Sequence, residues 1–154
     1  MKVNSDRAKK ITFRRSGLKS ELLNEALVIE KRFKGNTHID VAKTLSALSY
    51  KEYSIQYSGK KKYQEAIQQA EEAMAIVKKH SGPDNILIVE PKRTVALCTQ
   101  DMARKESGEE KEKFLNVSLA AMQDCLKIRQ VVLGQYNPAT TVMMSNVGSI
   151  LEDL

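Results

Sequence analysis

One pattern occurs three times in this chain of 154 residues: an apolar helical stripe ends, a glycine follows, and a new helix begins. The pattern occupies residues 26–42, 73–89 and 125–141, and the three segments align without a gap. The glycines that share one aligned position are Gly35, Gly82 and Gly134, so the spacing is 47 and then 52 residues. Self-similarity at such a period is typical of solenoids built from stacked supersecondary units.

Each segment contains the residues that end one helix and start the next. Glycine readily takes the positive φ that closes a helix, and lysines just before Gly35 and Gly82 suit the negative end of the helix dipole. A polar side chain at the start of the next helix accepts one of its free amides. The predicted N-cap residues are Asp40, either Asp84 or Asn85, and Asn137.

Composition favours helices over strands. The chain is 42% hydrophobic and 29% charged, which is typical of a soluble globular protein, and it contains only 5% aromatic residues and no Trp. Helical patterns cover residues 18–33, 41–57, 63–79, 86–105, 114–133 and 138 to the end. Pro91 indicates either that the fourth helix begins near Glu90 or that its first turn is bent. The sequence therefore predicts an all-α fold, an α-solenoid of roughly three helix–turn–helix units with five or six helices.

The excess of positive charge lies at the start of the chain. Residues 1–34 carry ten basic and four acidic side chains, a difference of +6, and the remaining residues carry fifteen of each. We interpret residues 1–17 as a basic flexible leader, although Ile11, Phe13 and Leu18 also fit a longer helix. Residues 18–154 are interpreted as the helical repeat domain, either whole or a piece of a longer array, since the last unit has only its first helix.

Several segments resemble kinesin-light-chain-type tetratricopeptide repeats. Residues 34–42 and 133–140 are similar to the inter-repeat signature of that family, a Leu-Gly, two variable residues, His-Pro and an Ala/Thr-rich helix. Residues 144–148, Met-Ser-Asn-Val-Gly, resemble its Leu-Asn-Asn-Leu-Ala/Gly. The resemblance covers residues 22–154. The chain departs from the family in its longer repeats, in Lys92 where an apolar residue is expected, and in Pro91.

The resemblance implies a scaffold that binds a peptide segment of a partner in a concave groove lined by the first helix of each unit. Register with the family's inner face gives these partner-binding candidates: Lys43, Ser46, Tyr50, Tyr53, Arg93, Leu97, Gln100, Asn146 and Ser149. Tyr50 and Tyr53 are the strongest candidates, because tyrosine buries a large area and keeps a hydroxyl. The alternative is that one or both tyrosines pack in the core between repeats.

No catalytic motif is found. The two histidines, His38 and His80, lie in predicted turns, where a structural role is expected of His38, and no phosphate-binding glycine loop occurs. The sequence thus predicts neither an enzyme nor a cofactor or metal site. Cys98 and Cys125 are predicted to be buried free thiols. Without an export signal or an apolar run long enough to cross a bilayer, the predicted location is cytoplasmic.

Two other hypotheses stay open at this point. Residues 2–34 have the charge for weak, salt-sensitive binding of nucleic acid or of an acidic surface. Alternatively, the chain is a structural fragment whose exposed last helix pairs with another copy.

Overall fold

The described part of the chain forms six α-helices. The computed structural model describes the backbone of residues 2–55 and 60–154 and the side chains of residues 17–55 and 63–154. The helices are α1 (Lys2–Lys34), α2 (Ile39–Ser54), α3 (Lys60–Ser81), α4 (Val89–Ala103), α5 (Gly108–Leu133) and α6 (Pro138–Asp153). A single 3-10 turn, Ile86–Ile88, precedes α4, and the described residues include no strand. The predicted all-α class is confirmed.

The largest difference from the prediction concerns the first helix. The sequence predicts a helix from Leu18 behind a flexible leader, whereas α1 begins at Lys2 and runs through this segment, in agreement with the longer-helix alternative. Gly17 is its only strong helix breaker, and a glycine within a helix costs only about 1 kcal/mol. At the next connection, α2 ends at Ser54 and α3 already begins at Lys60, three residues before the helical pattern predicted from residue 63, and residues 56–59 lie outside the described residues.

Pro91 marks the beginning of a helix and does not bend one. It is the third residue of α4, which starts at Val89, next to the predicted start at Glu90. A proline in the first turn loses no intrahelical hydrogen bond, because the first N–H groups of a helix have no partner within it. The preceding 3-10 turn carries the chain into the helix.

The three repeated turns share one backbone geometry. The φ angles of Gly35, Gly82 and Gly134 are 88°, 82° and 87°. Each glycine N–H donates to the carbonyl four residues earlier, at 3.1, 3.0 and 3.1 Å. The prediction that these glycines close helices with positive φ is confirmed. At Gly134, ψ is 160°, which places this residue in a region that is essentially restricted to glycine.

The residue three positions after each glycine caps the next helix. The side chains of Asn85 and Asn137 accept the N–H of Leu87 and of Ala139, both at 2.9 Å. In the first turn the N-cap is His38, whose Nδ1 accepts the N–H of Asp40 at 3.2 Å. The prediction of Asp40 as N-cap was therefore wrong. Asp40 is the second residue of α2, where its carboxylate favours the positive end of the helix dipole.

Each helix packs on its neighbours in sequence. The pairs α1–α2, α2–α3, α3–α4, α4–α5 and α5–α6 are in contact, and α2 also packs on α4. The main core cluster draws on every unit and includes Leu45, Val77, Val89, Met122 and Ile150. None of the helices in the described part of the chain is both long enough and apolar enough to cross a bilayer.

A second, smaller cluster lies where α2, α3 and α4 meet. It contains the buried residues Tyr63, Ala66 and Cys98, with Tyr53 and Met102 packed against it. The small residues Ala66, Ala70 and Ala73 of α3 are fully buried. Small side chains such as these allow neighbouring helices to approach closely.

Two glycine substitutions should have opposite effects on stability. In Gly134→Ala the new methyl group meets no atom within 4 Å. The free energy of unfolding should therefore fall only because alanine is strained at this φ and ψ, by about 1–3 kcal/mol. Gly148→Ala in α6 also meets nothing within 4 Å, and should stabilise by roughly 0.5–1 kcal/mol. Urea unfolding of both variants tests the turn geometry, and equal effects would contradict it.

The two thiols should react only after unfolding. Cys98 and Cys125 are free and buried, and burial raises the pKa of each thiol to about 12. Because the thiolate is the reactive form, the native protein should be modified very slowly by a chromogenic disulfide reagent at neutral pH. In denaturant both thiols should react at once. Fast reaction of the native protein would contradict this burial.

Candidate functional site

A groove of about 460 Å³ lies where α2 faces the start of α4 and the turn between α5 and α6. Most of the side chains that line it are apolar. The lining residues are Ala42, Lys43, Ser46, Ala47, Tyr50, Val77, Ile86, Leu87, Glu90, Arg129, Leu133 and Ala139. This volume is in the range of sites that hold small ligands or a few side chains of a peptide.

One wall of the groove is a face of α2. The lining residues of this wall are spaced by three, one and three positions, which places them on one side of the helix. They are Lys43, Ser46, Ala47 and Tyr50. The opposite side of α2 supplies core residues such as Leu45. The cap at His38 fixes where α2 begins. Tyr50 keeps 41% of its surface exposed, so its ring is accessible from the groove.

A carboxylate holds two arginines at the opposite wall. Glu90 accepts from Nη2 of Arg93 at 2.9 Å and from Nη2 of Arg129. Arg129 also donates to the backbone carbonyl of Ala139 at 2.8 Å, so it connects α5 with α6 as well as with α4. The Arg93 guanidinium lies 4.8 Å from the centre of the Tyr50 ring, within the range of a cation–π interaction. Both arginine side chains are mostly buried, which fixes their positions.

Cations outnumber carboxylates around the groove. Three cations border the groove: Lys43, Arg93 and Arg129. Among the described residues that line it, Glu90 is the one carboxylate. Lys43 approaches Asp40 at 3.4 Å, but Lys34 lies closer to that carboxylate, at 2.6 Å, and its hydrogen bond lowers the pKa of Asp40. The rim of the groove is therefore positive.

Four of the predicted binding residues are brought together by the structure. Lys43, Ser46 and Tyr50 line the groove, and Arg93 stacks on Tyr50. Tyr53 lies elsewhere: it packs on the smaller cluster, and its hydroxyl donates to Asp101. Burial and that neighbouring carboxylate raise the pKa of Tyr53 above its ordinary value. Tyr53 thus follows the alternative in which a tyrosine packs between repeats.

The other candidates form a second polar cluster or join the core. Gln100 is buried, and its Nε2 donates to Ser149 Oγ at 3.2 Å and to Asp153 Oδ2 at 2.7 Å. This hydrogen bond, together with one from Arg104, lowers the pKa of Asp153. Gln100 and Ser149 therefore connect α4 with α6. The remaining two are Leu97, packed on the main cluster, and Asn146, whose buried Nδ2 has no hydrogen-bond partner among the residues that the structure describes.

Sequence reasoning missed the part of the groove contributed by α5. It selected positions on the first helix of each unit, whereas Arg129 and Leu133 belong to the helix before the third repeated turn. A signal was present in the register: Arg129 occupies the position of Val77 in the preceding unit, which is buried and apolar. The first unit also has a charged residue there, Glu30, so the signal is that one position is apolar in one unit and charged in the others.

Within the described residues, no group of three or more His, Cys, Asp or Glu side chains is placed to bind a metal ion. In the comparisons with known proteins, no family model matches this chain and no curated protein matches its sequence. The likeness to tetratricopeptide repeats therefore remains an interpretation of the residues.

Proposed function

We propose that the chain is a non-catalytic cytoplasmic scaffold that binds a peptide segment of a partner protein in the groove of a tetratricopeptide-like α-solenoid. The observation that carries this proposal is the groove itself, which is apolar inside, positive at its rim, and open beside the exposed ring of Tyr50. Five helices, α2 to α6, and the 3-10 turn contribute side chains to the lining.

Two features support the solenoid. The repeated turns have nearly equal glycine φ angles and equivalent caps, so the chain enters α2, α4 and α6 in the same way. In addition, α2 packs on α4 besides its neighbours in sequence, as stacked units require. An array of this kind provides an extended surface for a peptide.

The lining specifies the chemistry of the peptide. The apolar floor suits one or two large apolar side chains. The positive rim suits an adjacent Asp or Glu, which Lys43 and the paired arginines would attract. Glu90 already neutralises part of the charge of the two arginines. The remaining positive charge therefore suits a peptide with one acidic side chain better than a peptide with several.

Removal of the exposed ring should weaken binding without loss of structure. The probes are peptides selected from a random displayed library against the wild-type protein. Tyr50→Ala should reduce their affinity about tenfold or more, roughly 1.4 kcal/mol, as measured by calorimetry. The matched control is Tyr136→Ala, because Tyr136 is 91% exposed in the turn between α5 and α6 and does not line the groove. Equal binding by wild type and Tyr50→Ala would exclude the groove.

Charge reversal at the rim should change peptide selectivity. Lys43→Glu should weaken the selected acidic peptides by about 1 kcal/mol or more, and peptides with Lys in place of the acidic residue should regain affinity for this variant. Lys113→Glu, a reversal on an exposed residue of α5 away from the groove, serves as the control. If library selection yields no acidic residues, or if both reversals act alike, the proposed peptide chemistry is wrong.

The alternative of nucleic-acid or acidic-surface binding is supported by charge alone. Helix α1 carries the ten basic and four acidic side chains of residues 2–34 on one continuous helix. Binding of this kind should decline steeply as salt rises, because it depends on release of counterions. Titration of a labelled oligonucleotide at increasing salt, with the Lys43→Glu variant as a comparison, separates the two functions.

A further inference from the structure

The two end helices each expose a face that their counterparts bury. The repeated turns place α1, α3 and α5 in one class, the helices before a turn, and α2, α4 and α6 in another, the helices after it. Each helix of the second class is followed by a helix of the first: α3 packs on α2, and α5 packs on α4. Among the described residues, no helix follows α6 and no helix precedes α1.

The register shows which surface of α6 is left uncovered. Met144 is 37% exposed, whereas Leu45, at the equivalent position of α2, is 1% exposed. The equivalent residue of α4 is Lys92, whose Nζ contacts Asp124 of α5. Leu151 is 54% exposed, and its α4 equivalent Thr99 is buried. In α4 this face is therefore covered by α5, and in α2 Leu45 is buried while Glu52, the equivalent of Leu151, is half-buried.

The same comparison identifies the uncovered surface of α1. Ile29 is 56% exposed, whereas its equivalents Ile76 in α3 and Ile128 in α5 are 6% and 8% exposed. Leu22, which lies two helical turns earlier on the same side, is 56% exposed, and its equivalents Gln69 and Ala121 are partly buried. Helix α1 thus presents the face that a helix of its class normally packs against a preceding helix.

We infer that these two faces bind each other between copies of the chain, with α1 of one copy packed on α6 of the next. The contact reproduces the α2–α3 and α4–α5 pairings within one chain, so its geometry is already built into the fold. Charge also favours it to a small extent: residues 17–34 of α1 carry four basic and three acidic side chains, whereas α6 has no Lys or Arg and ends with Glu152 and with Asp153, which already pairs with Arg104. Two copies of the same face lack this complementarity.

Such a contact is heterologous, because different surfaces meet. Head-to-tail contacts extend into a ring or an open filament and do not stop at a dimer. The inference depends on the pairing of helices and is independent of peptide binding in the groove.

The test measures molar mass by light scattering and sedimentation over a range of protein concentrations. Wild type should grow beyond a dimer as concentration rises. Two double variants each lack one face and should each be monomeric alone. The α1 variant is Leu22→Gln/Ile29→Gln, and the α6 variant is Met144→Gln/Leu151→Gln. An equimolar mixture of the two should form a one-to-one dimer, since it contains a single intact pair of faces. Val117→Gln, which changes an exposed residue of α5 outside both faces, should behave as wild type.

Several results would overturn the inference. These are a wild-type protein that stays monomeric, a dimer that only the α6 substitutions disrupt, or a mixture of the two variants that does not associate. If either double variant loses its helical circular-dichroism signal, cross-linking of the wild-type protein replaces the light-scattering comparison. With isotope-labelled and unlabelled copies mixed, a carbodiimide should join α1 lysines of one copy to Glu152 of another, and Glu152 joined between copies only to lysines outside α1 would contradict the head-to-tail contact.

Discussion

The arrangement of these helices depends on how one helix ends and the next begins. At each repeated turn a glycine with positive φ ends the first helix, and a side chain three residues later accepts an amide N–H of the second. A glycine takes such a φ without steric cost, and a cap is typically worth about 1 kcal/mol. Repeating this geometry three times gives successive helices equivalent neighbours, and it fixes which side of each helix faces the core.

The groove follows from that geometry. A helix that begins at a fixed residue presents a fixed face, so the cap at His38 determines that Lys43, Ser46 and Tyr50 point away from the core of α2. Glu90 then holds arginines from α4 and α5 in place. A mostly buried arginine loses little further freedom when an acidic ligand arrives, which favours binding. The polar cluster at Gln100 holds α4 against α6 and supports the opposite end of this surface.

Much of the fold follows from local signals, and these are the signals that a sequence displays. Glycines, caps and apolar spacing predicted a helix within each of the six described helices, and a start near Glu90 was one of the two alternatives for α4. The errors arise where a local rule competes with another. Asp40 is a good cap by residue type, but the turn places His38 at that position. The long α1 was only the alternative prediction, because its first half has no sustained apolar period, although little in it opposes a helix.

The site was less predictable, because it depends on contacts between distant residues. Tyr50 and Tyr53 are three residues apart on one helix, and no sequence signal shows that one meets the groove and the other meets Asp101. The role of Glu90 depends likewise on Arg129, which lies 39 residues later. Register between units was applied only to the first helix of each unit, so the difference between Arg129 and its buried equivalent Val77 was overlooked.

The central claim is that a partner peptide occupies the groove between α2 and the α5–α6 turn. The most direct measurement is a nuclear magnetic resonance titration of the labelled protein with a library-selected peptide. The account predicts that the largest amide shifts fall at Lys43, Tyr50 and Leu87 and near Leu133. Shifts confined to α1, or spread over residues that do not border the groove, would contradict it.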